Sequence, residues 1–291
     1  MDSLNGKNRY FYEHKNVGKT YAIIKFSDDV YLTGSTDMKV RAYSIKSNEL
    51  LHEFEGHNDL IFRLCKMTDD IFVSCSDDKI MKIWSYGSKK CLSSFEGHDS
   101  FITSLTRIDE DRFATTSYDE TAKIWSLKSN SCIKVITGFN TVVYHSTLFN
   151  NDTILFGCKV GIVHLYSIEK ESIFCKLEGH KSAVYAFCKI DEDIFLSGSD
   201  DSDIRAWSFK DQKCVHNYQS HTDKVFDLVK MNDDIFISSS ADLSIKVWSI
   251  NEKKCIDTLL GHKGCIRAIC RIDERTIISG AKDDTVKLWY I

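Results

Sequence analysis

The stretch "LSGSDDSDIRAW", residues 196–207, decides how this chain is interpreted. It places Ser197 and Asp201 shortly after His180. Serine, histidine and aspartate are the side chains of a hydrolase triad, in which a base takes the hydroxyl proton and a carboxylate orients the base. Whether this set is catalytic depends on how often it occurs in the chain.

The set belongs to a repeat. Histidines follow Gly or Ser at 56–57, 97–98, 179–180, 220–221 and 261–262, always 41 residues apart or a multiple of 41. An aromatic residue recurs at the same 41-residue step, at Tyr43, Trp84, Trp125, Tyr166, Trp207, Trp248 and Trp289. Seven copies without an insertion or deletion predict an array of seven structural units.

Each unit has the pattern of four short strands. In the second unit these are "IFRLCKM", "DIFVSCS", "IMKIWSY" and "KCLSSFE", which are rich in β-branched and aromatic residues. The turns between them carry Asp and Asn, whose side chains cap local backbone groups in tight hairpins. The chain is therefore predicted to be all-β.

The motif resembles the WD40 repeat family: Gly-His, then Ser/Thr-x-x-x-Asp, then Trp six residues on. Members of that family form β-propellers of four-stranded blades. The resemblance covers the whole chain and implies a single seven-bladed β-propeller of four-stranded antiparallel blades, one domain over residues 1–291. The last unit stops after its third strand, and "RYFYEH" at 9–14 aligns with the fourth strand "LLHEFE" at 50–55. We expect residues 9–14 to join the final blade and close the ring, which removes exposed sheet edges.

The resemblance implies a structural role for the Ser/His/Asp set. In the family, Trp, Ser or Thr, His and Asp form a buried hydrogen-bonded tetrad, and buried polar groups must be paired. An enzyme seldom needs five identical active sites, so the structural interpretation is favoured over the catalytic one. The five predicted tetrads are His57/Ser74/Asp78/Trp84, His98/Thr115/Asp119/Trp125, His180/Ser197/Asp201/Trp207, His221/Ser238/Asp242/Trp248 and His262/Ser279/Asp283/Trp289.

Two units depart from the tetrad. The first has Asn16, Thr33, Asp37 and Tyr43 at the four positions, and the fourth has Phe139, Phe156, Val160 and Tyr166. Replacing every polar member together avoids leaving a buried partner unpaired. We expect packing alone to hold blade four. The alternative is that its departure marks a surface shaped for a partner.

A candidate binding surface follows from the same alignment. By resemblance to the family, the residue five after each Gly-His position lies at the mouth of the central channel, and these residues are Tyr21, Phe62, Thr103, Tyr144, Tyr185, Phe226 and Arg267. Five of the seven are aromatic, which is typical of a binding hot spot. The predicted partner-binding residues are Tyr21, Phe62, Phe101, Tyr118, Tyr144, Tyr185, Phe226 and Arg267. Packing of these rings into the channel or between blades is the alternative.

The expected function is that of a non-catalytic scaffold, which binds a peptide or protein at the channel mouth and helps to assemble a multiprotein complex. A propeller enzyme is the first alternative, but it would need a unique acid, base or metal set at the mouth. A reader of basic or modified peptides is the second, with Asp77 and Asp200 as its candidate acids. Only Arg267 supplies a guanidinium to the ring, so the arginine cluster of a phosphopeptide receptor is not expected.

Composition narrows the partner classes. The net charge of −4 gives no basic field for nucleic acid, and no apolar run approaches the length of a membrane span. The 11 cysteines show neither CxxC nor zinc-ligand spacing, which favours free thiols in a reducing compartment. We therefore expect an intracellular protein, cytoplasmic or nuclear, that has no cofactor or metal and is monomeric on its own.

Overall fold

A computed structural model describes residues 10–15 and 18–291, and this part of the chain forms 28 β-strands and no helix. The strands make seven four-stranded antiparallel sheets, each built from one sequence unit except the last. The predicted seven-bladed propeller is confirmed. Arg9 and Asn16, which entered the predictions for ring closure and the first tetrad, lie outside the described residues.

The strands are numbered in chain order, and each blade contributes one strand to each of four concentric positions. The first strands are β2 (Thr20–Lys25), β6 (Ile61–Lys66), β10 (Ile102–Arg107), β14 (Val143–Leu148), β18 (Val184–Lys189), β22 (Val225–Lys230) and β26 (Ile266–Arg271). The second strands are β3 (Val30–Ser35), β7 (Ile71–Ser76), β11 (Arg112–Ser117), β15 (Thr153–Cys158), β19 (Ile194–Ser199), β23 (Ile235–Ser240) and β27 (Thr276–Ala281). The third strands are β4 (Val40–Ser44), β8 (Met81–Ser85), β12 (Ala122–Ser126), β16 (Val163–Ser167), β20 (Ile204–Ser208), β24 (Ser244–Ser249) and β28 (Thr285–Tyr290). The fourth strands are β5 (Leu50–Phe54), β9 (Lys90–Phe95), β13 (Ser131–Ile136), β17 (Ser172–Leu177), β21 (Lys213–Tyr218), β25 (Lys254–Leu260) and β1 (Tyr10–Lys15).

The amino-terminal strand closes the ring. β1 pairs antiparallel with β28, with Tyr10 opposite Trp289 and His14 opposite Val286. The Lys287 ammonium forms an ion pair with Glu13 and lies 3.8 Å from the centroid of the Tyr10 ring. The predicted closure is confirmed, and β1 is the fourth strand of the seventh blade.

The hydrophobic core lies between blades. Each of seven buried clusters draws residues from two neighbouring blades, as where Leu32 of blade one packs in a cluster with Phe72 of blade two. One cluster joins Tyr31 of blade one to Ile278 of blade seven, so the buried surface is continuous around the ring. Because each blade buries its faces only against its neighbours, the seven blades form one unit.

The first strands line the central channel, because they contact the first strands of the neighbouring blades. Each contains a β-bulge near its start. In β6 the pairing with β7 shifts between Ile61 and Arg63, which leaves Phe62 out of the ladder. The same shift recurs in the other six blades. A bulge places two consecutive side chains where one would stand and re-aims them.

Candidate functional site

The five predicted tetrads form hydrogen-bonded chains. In blade five the Trp207 indole Nε1 donates to Ser197 Oγ at 2.7 Å, His180 Nε2 lies 2.7 Å from the same oxygen, and His180 Nδ1 lies 3.0 Å from Asp201 Oδ2. The same three contacts recur in blades two, three, six and seven around His57, His98, His221 and His262.

The carboxylate end of the chain is strongly held. Asp201 also accepts hydrogen bonds from the backbone N–H groups of Lys181 at 2.7 Å and Asp203 at 3.0 Å. Burial acts to raise the pKa of Asp201, but the hydrogen bonds from His180 and from the backbone N–H groups of Lys181 and Asp203 outweigh it, and the pKa is lowered to about 2. An ionised Asp201 makes His180 Nδ1 the donor, so Nε2 accepts the Ser197 hydroxyl proton and every member of the chain is satisfied.

This geometry resembles a catalytic triad but is closed to substrate. Each tetrad hydroxyl is 0% exposed, and it already accepts the indole N–H of its own blade. A nucleophile must reach the reacting carbon, which a fully covered hydroxyl cannot do. The fully covered hydroxyls belong to Ser74, Thr115, Ser197, Ser238 and Ser279. The arrangement therefore supports the blades and does not offer a reaction site.

Blade four uses packing at most of the same positions. The rings of Phe139 and Phe156 are buried with centroids 5.2 Å apart, and Tyr166 is buried in the same cluster. The expectation that packing alone holds blade four needs correction. Val160, at the Asp position, is 56% exposed, and a buried contact of 3.3 Å between Cys158 Sγ and His164 Nδ1 adds a polar interaction. Packing is thus dominant in blade four but does not act alone.

Blade one retains polar residues without the tetrad geometry. Asp37 pairs with the Arg41 guanidinium, and the buried Thr33 Oγ1 has no hydrogen-bond partner among the described residues. The Arg41 guanidinium, which also pairs with Glu53, is the donor beside the turn carboxylate in blade one. Blade one therefore keeps the aspartate but holds it by an ion pair.

The channel mouth brings all eight predicted partner-binding residues into one series of contacts. Phe101, Tyr118, Tyr144, Tyr185 and Phe226 follow one another with ring centroids 6.0, 5.4, 4.9 and 5.6 Å apart. The series continues through Arg267 and Tyr21 to Phe62, and the last two rings are 5.7 Å apart. These eight side chains thus form one connected rim at the opening of the central channel, which we call the channel mouth.

The rim aromatic side chains differ in solvent exposure and fall into three groups. Phe101 and Tyr118 are 44% and 42% exposed at its outer edge, whereas Tyr21, Phe62, Tyr144 and Tyr185 are half-buried around a cavity of about 230 Å³. Phe226 is only 5% exposed. It supports the floor of the cavity, and the half-buried rings present the accessible surface.

Two guanidinium groups, not one, line this cavity. Arg267 lies 3.8 Å from the centroid of the Phe226 ring and 5.2 Å from that of Tyr21. Arg63 lies 5.4 Å from the centroid of Phe62 and is directed toward the Tyr21 carbonyl oxygen at 3.5 Å. Arg267 is the one guanidinium among the seven predicted rim positions, whereas Arg63 follows the rim position Phe62 and is not expected at the mouth, because strict strand alternation would turn it to the opposite face. The β-bulge at Phe62 brings the consecutive side chains of Phe62 and Arg63 to the channel.

The two candidate acids have different positions. Asp77 lines the cavity, and burial together with the nearby charges of Asp59 and Asp78 raises its pKa to about 6. Asp200 does not line it and forms an ion pair with Lys224 at 2.7 Å. The mouth therefore offers one carboxylate where the expectation named two.

Larger depressions lie away from the mouth. One of about 890 Å³ runs between blades six and seven and is open, and its charged side chains include the ion pair of Lys230 with Asp233. Another of about 500 Å³ lies beside blade four, where Lys134 pairs with Glu171. Each of these depressions thus contains an ion pair of the protein, whereas the mouth cavity is lined by two arginines whose Nε atoms have no partner among the described residues.

Two searches of the described residues bear on other functions. Over residues 10–15 and 18–291, no group of three or more His, Cys, Asp or Glu side chains is arranged to hold a metal ion. No helix in that part of the chain has the length and apolar character needed to cross a membrane.

Comparison with known proteins agrees with the fold. The family described as "WD domain, G-beta repeat" matches residues 48–85, 89–126, 171–208, 212–249 and 253–290. The chain belongs to the WD40 repeat family. The five matched segments contain the Ser or Thr, Asp and Trp of the five tetrads, and the units of blades one and four are not among them. No curated protein sequence matches the chain.

Proposed function

We propose that this protein is a non-catalytic interaction scaffold that binds a segment of a protein partner at the channel mouth and helps to assemble a multiprotein complex. WD40 propellers typically serve as protein-interaction scaffolds. The observation that carries the proposal is the series of rim aromatic side chains, most of them partly exposed, around a cavity of about 230 Å³. Aromatic side chains in a partly enclosed site are the usual anchors of protein interfaces.

The size of the cavity favours a side chain of a larger partner over a free small molecule. Sites for small ligands usually have volumes of roughly 300–1,000 Å³. The mouth cavity is smaller, and it opens onto the exposed rings of Phe101 and Tyr118. One inserted side chain with its flanking backbone on the rim accounts for both features.

The enzyme alternative receives no support from the mouth. Its titratable lining groups are Arg63, Asp77, Arg267 and four tyrosines, and no histidine or cysteine is among them. Burial raises the pKa of the Tyr144 and Tyr185 hydroxyls, so these groups stay protonated and are poor bases.

Affinity capture with a matched control tests the proposal. Immobilised wild-type protein is compared with Phe62→Ala/Tyr185→Ala, which removes two half-buried rim rings, and with Phe174→Ala/Tyr290→Ala, which removes two exposed rings far from the mouth. We expect a defined protein to be lost from the rim variant only, and to bind purified wild-type protein directly in calorimetry. Equal retention by both variants at equal melting temperatures would contradict the proposal.

A further inference from the structure

Two half-buried arginines line the mouth cavity, and their hydrogen-bonding groups are only partly satisfied within the described residues. The Nε atoms of Arg63 and Arg267 are inaccessible to water and have no hydrogen-bond partner among the described residues. Neither guanidinium forms an ion pair with a carboxylate of that part of the chain. An arginine stays protonated in proteins, so both positive charges remain.

The nearest buried acid is already occupied. Asp227, one residue beyond Phe226, accepts the backbone N–H of Leu228 at 2.9 Å and that of Ile269 at 3.0 Å. Burial raises the pKa of Asp227 to about 6, although the charge of Arg63 acts in the opposite direction. The charge of this carboxylate partly offsets that of Arg63, but its hydrogen bonds go to backbone N–H groups and not to an arginine.

These residues interrupt the repeat at the channel. The residue after each rim position is small in four blades, at Ala22, Ser104, Ala186 and Ala268, whereas blade two has Arg63, blade four has His145 and blade six has Asp227. Burial lowers the pKa of both Arg63 and Arg267, because each charge is held where water solvates it poorly. A charge that water solvates poorly destabilises a fold unless it is well paired, so two such arginines at one cavity are not explained by the repeat.

Three of the rim rings, Tyr21, Phe62 and Phe226, already have a cation of the protein over them. Arg267 already covers the faces of Phe226 and Tyr21, and the Lys282 ammonium lies 5.7 Å from the centroid of Tyr21. A basic side chain of a partner would meet two guanidinium groups and only one carboxylate, Asp77. The tyrosine hydroxyls are neutral donors, which an anion can also use.

From this arrangement we infer that the side chain inserted into the mouth is anionic, a carboxylate or a phosphorylated hydroxyl of an extended peptide segment, held between Arg63 and Arg267. The inference rests on the proposed function and names the chemistry of its partner. Arginine is the side chain best suited to such groups, because its planar fork of N–H donors matches carboxylate and phosphate oxygens.

Binding of defined peptide pools tests the inference. Ten-residue peptides carry one fixed central residue, Glu, Asp, phosphoserine, Gln or Lys, with all other positions randomised, and their affinity for the full-length protein is measured. Loss of a hydrogen bond to a charged group corresponds to roughly 10- to 100-fold in affinity. We expect at least one anionic pool to bind about that much more tightly than the Gln pool, and comparison of the Glu and phosphoserine pools identifies the anion.

Variants connect the preference to the two arginines. Arg63→Gln and Arg267→Gln are expected to remove the preference, and Arg63→Lys to retain part of it, because charge persists without the fork. Arg107→Gln, in an inner strand at the opposite end of the channel, is the control and should keep it. Melting curves establish that each variant is folded.

The outcomes separate this inference from the proposed function. If the pools bind without preferring an anion, and the Phe62→Ala/Tyr185→Ala variant loses them, the mouth is a binding site and the anionic inference is wrong. If the preference survives both glutamine variants, the inference is also wrong. If no pool binds the wild-type protein at millimolar concentration, both proposals fail.

Discussion

The tetrads and the channel mouth both combine aromatic and polar side chains, and they differ in how completely their polar groups are hydrogen-bonded. In each tetrad the indole, hydroxyl, imidazole and carboxylate are linked in one chain, as at His180. At the mouth, Arg63 and Arg267 have buried nitrogen atoms without partners among the described residues. Repetition with full satisfaction indicates a structural element, and a non-repeated, unsatisfied group indicates a site for something else.

Blade four shows that the tetrad is one of two ways to hold the same backbone. Its pairing of Phe156 with His164 occupies the register that pairs Ser197 with Arg205 in blade five. Aromatic packing replaces the polar chain without changing the sheet.

The largest loss is expected in the packed blade. Phe156→Ala removes a fully buried ring from the cluster with Phe139 and should lower the free energy of unfolding by about 3–5 kcal/mol. Urea denaturation followed by tryptophan fluorescence measures it. A loss below about 1 kcal/mol would show that blade four is not held by this packing.

The tetrad should be cooperative in blade five. His180→Ala leaves Ser197 and Asp201 without their shared partner and should cost roughly 2–3 kcal/mol of unfolding free energy. The double variant His180→Ala/Ser197→Ala should cost less than the sum of the two single variants, because one substitution already breaks the chain. Strict additivity in the urea-denaturation cycle would contradict a linked network.

Acid should weaken the tetrads. The folded-state pKa of Asp201 is about 2 and its unfolded value is near 4, so its contribution is complete above pH 4 and is lost as the pH falls toward 2. The stability difference between wild type and Asp201→Asn should therefore shrink from pH 7 to pH 3. A difference that is unchanged between these two pH values, measured by urea denaturation, would show that the carboxylate charge does not contribute.

The mouth carboxylate should show the opposite sign and a smaller effect. Because the folded-state pKa of Asp77 is raised to about 6, its ionisation destabilises the fold as the pH rises from 4 through 6. Asp77→Asn should be slightly more stable than wild type above pH 6, and equal to it at pH 4. Thermal melts at the two pH values measure this, and a variant less stable than wild type at pH 7 would contradict it.

The sequence predicted the fold because its 41-residue step fixes the blades and its last unit lacks a strand. The same 41-residue step also predicted the rim residues that the structure brings together, such as Tyr144 and Tyr185. The position of Arg63 at the mouth could not be predicted, because a period-two pattern turns successive side chains to opposite faces and does not reveal a β-bulge. A signal was present, since Arg63 replaces a residue that is Ala or Ser in four other blades. Exposure of Val160 and burial of Phe226 depended on tertiary packing.

The central claim is that the tetrads maintain the fold and the mouth binds the partner. Isothermal titration of the captured partner into wild type, Phe62→Ala/Tyr185→Ala and His180→Ala, below the melting temperature of each, tests it most directly. We expect the rim variant Phe62→Ala/Tyr185→Ala to lose at least about tenfold in affinity. We expect His180→Ala to bind as tightly as wild type despite its lower stability. Unchanged binding by the rim variant, or loss of binding by His180→Ala while folded, would contradict the account.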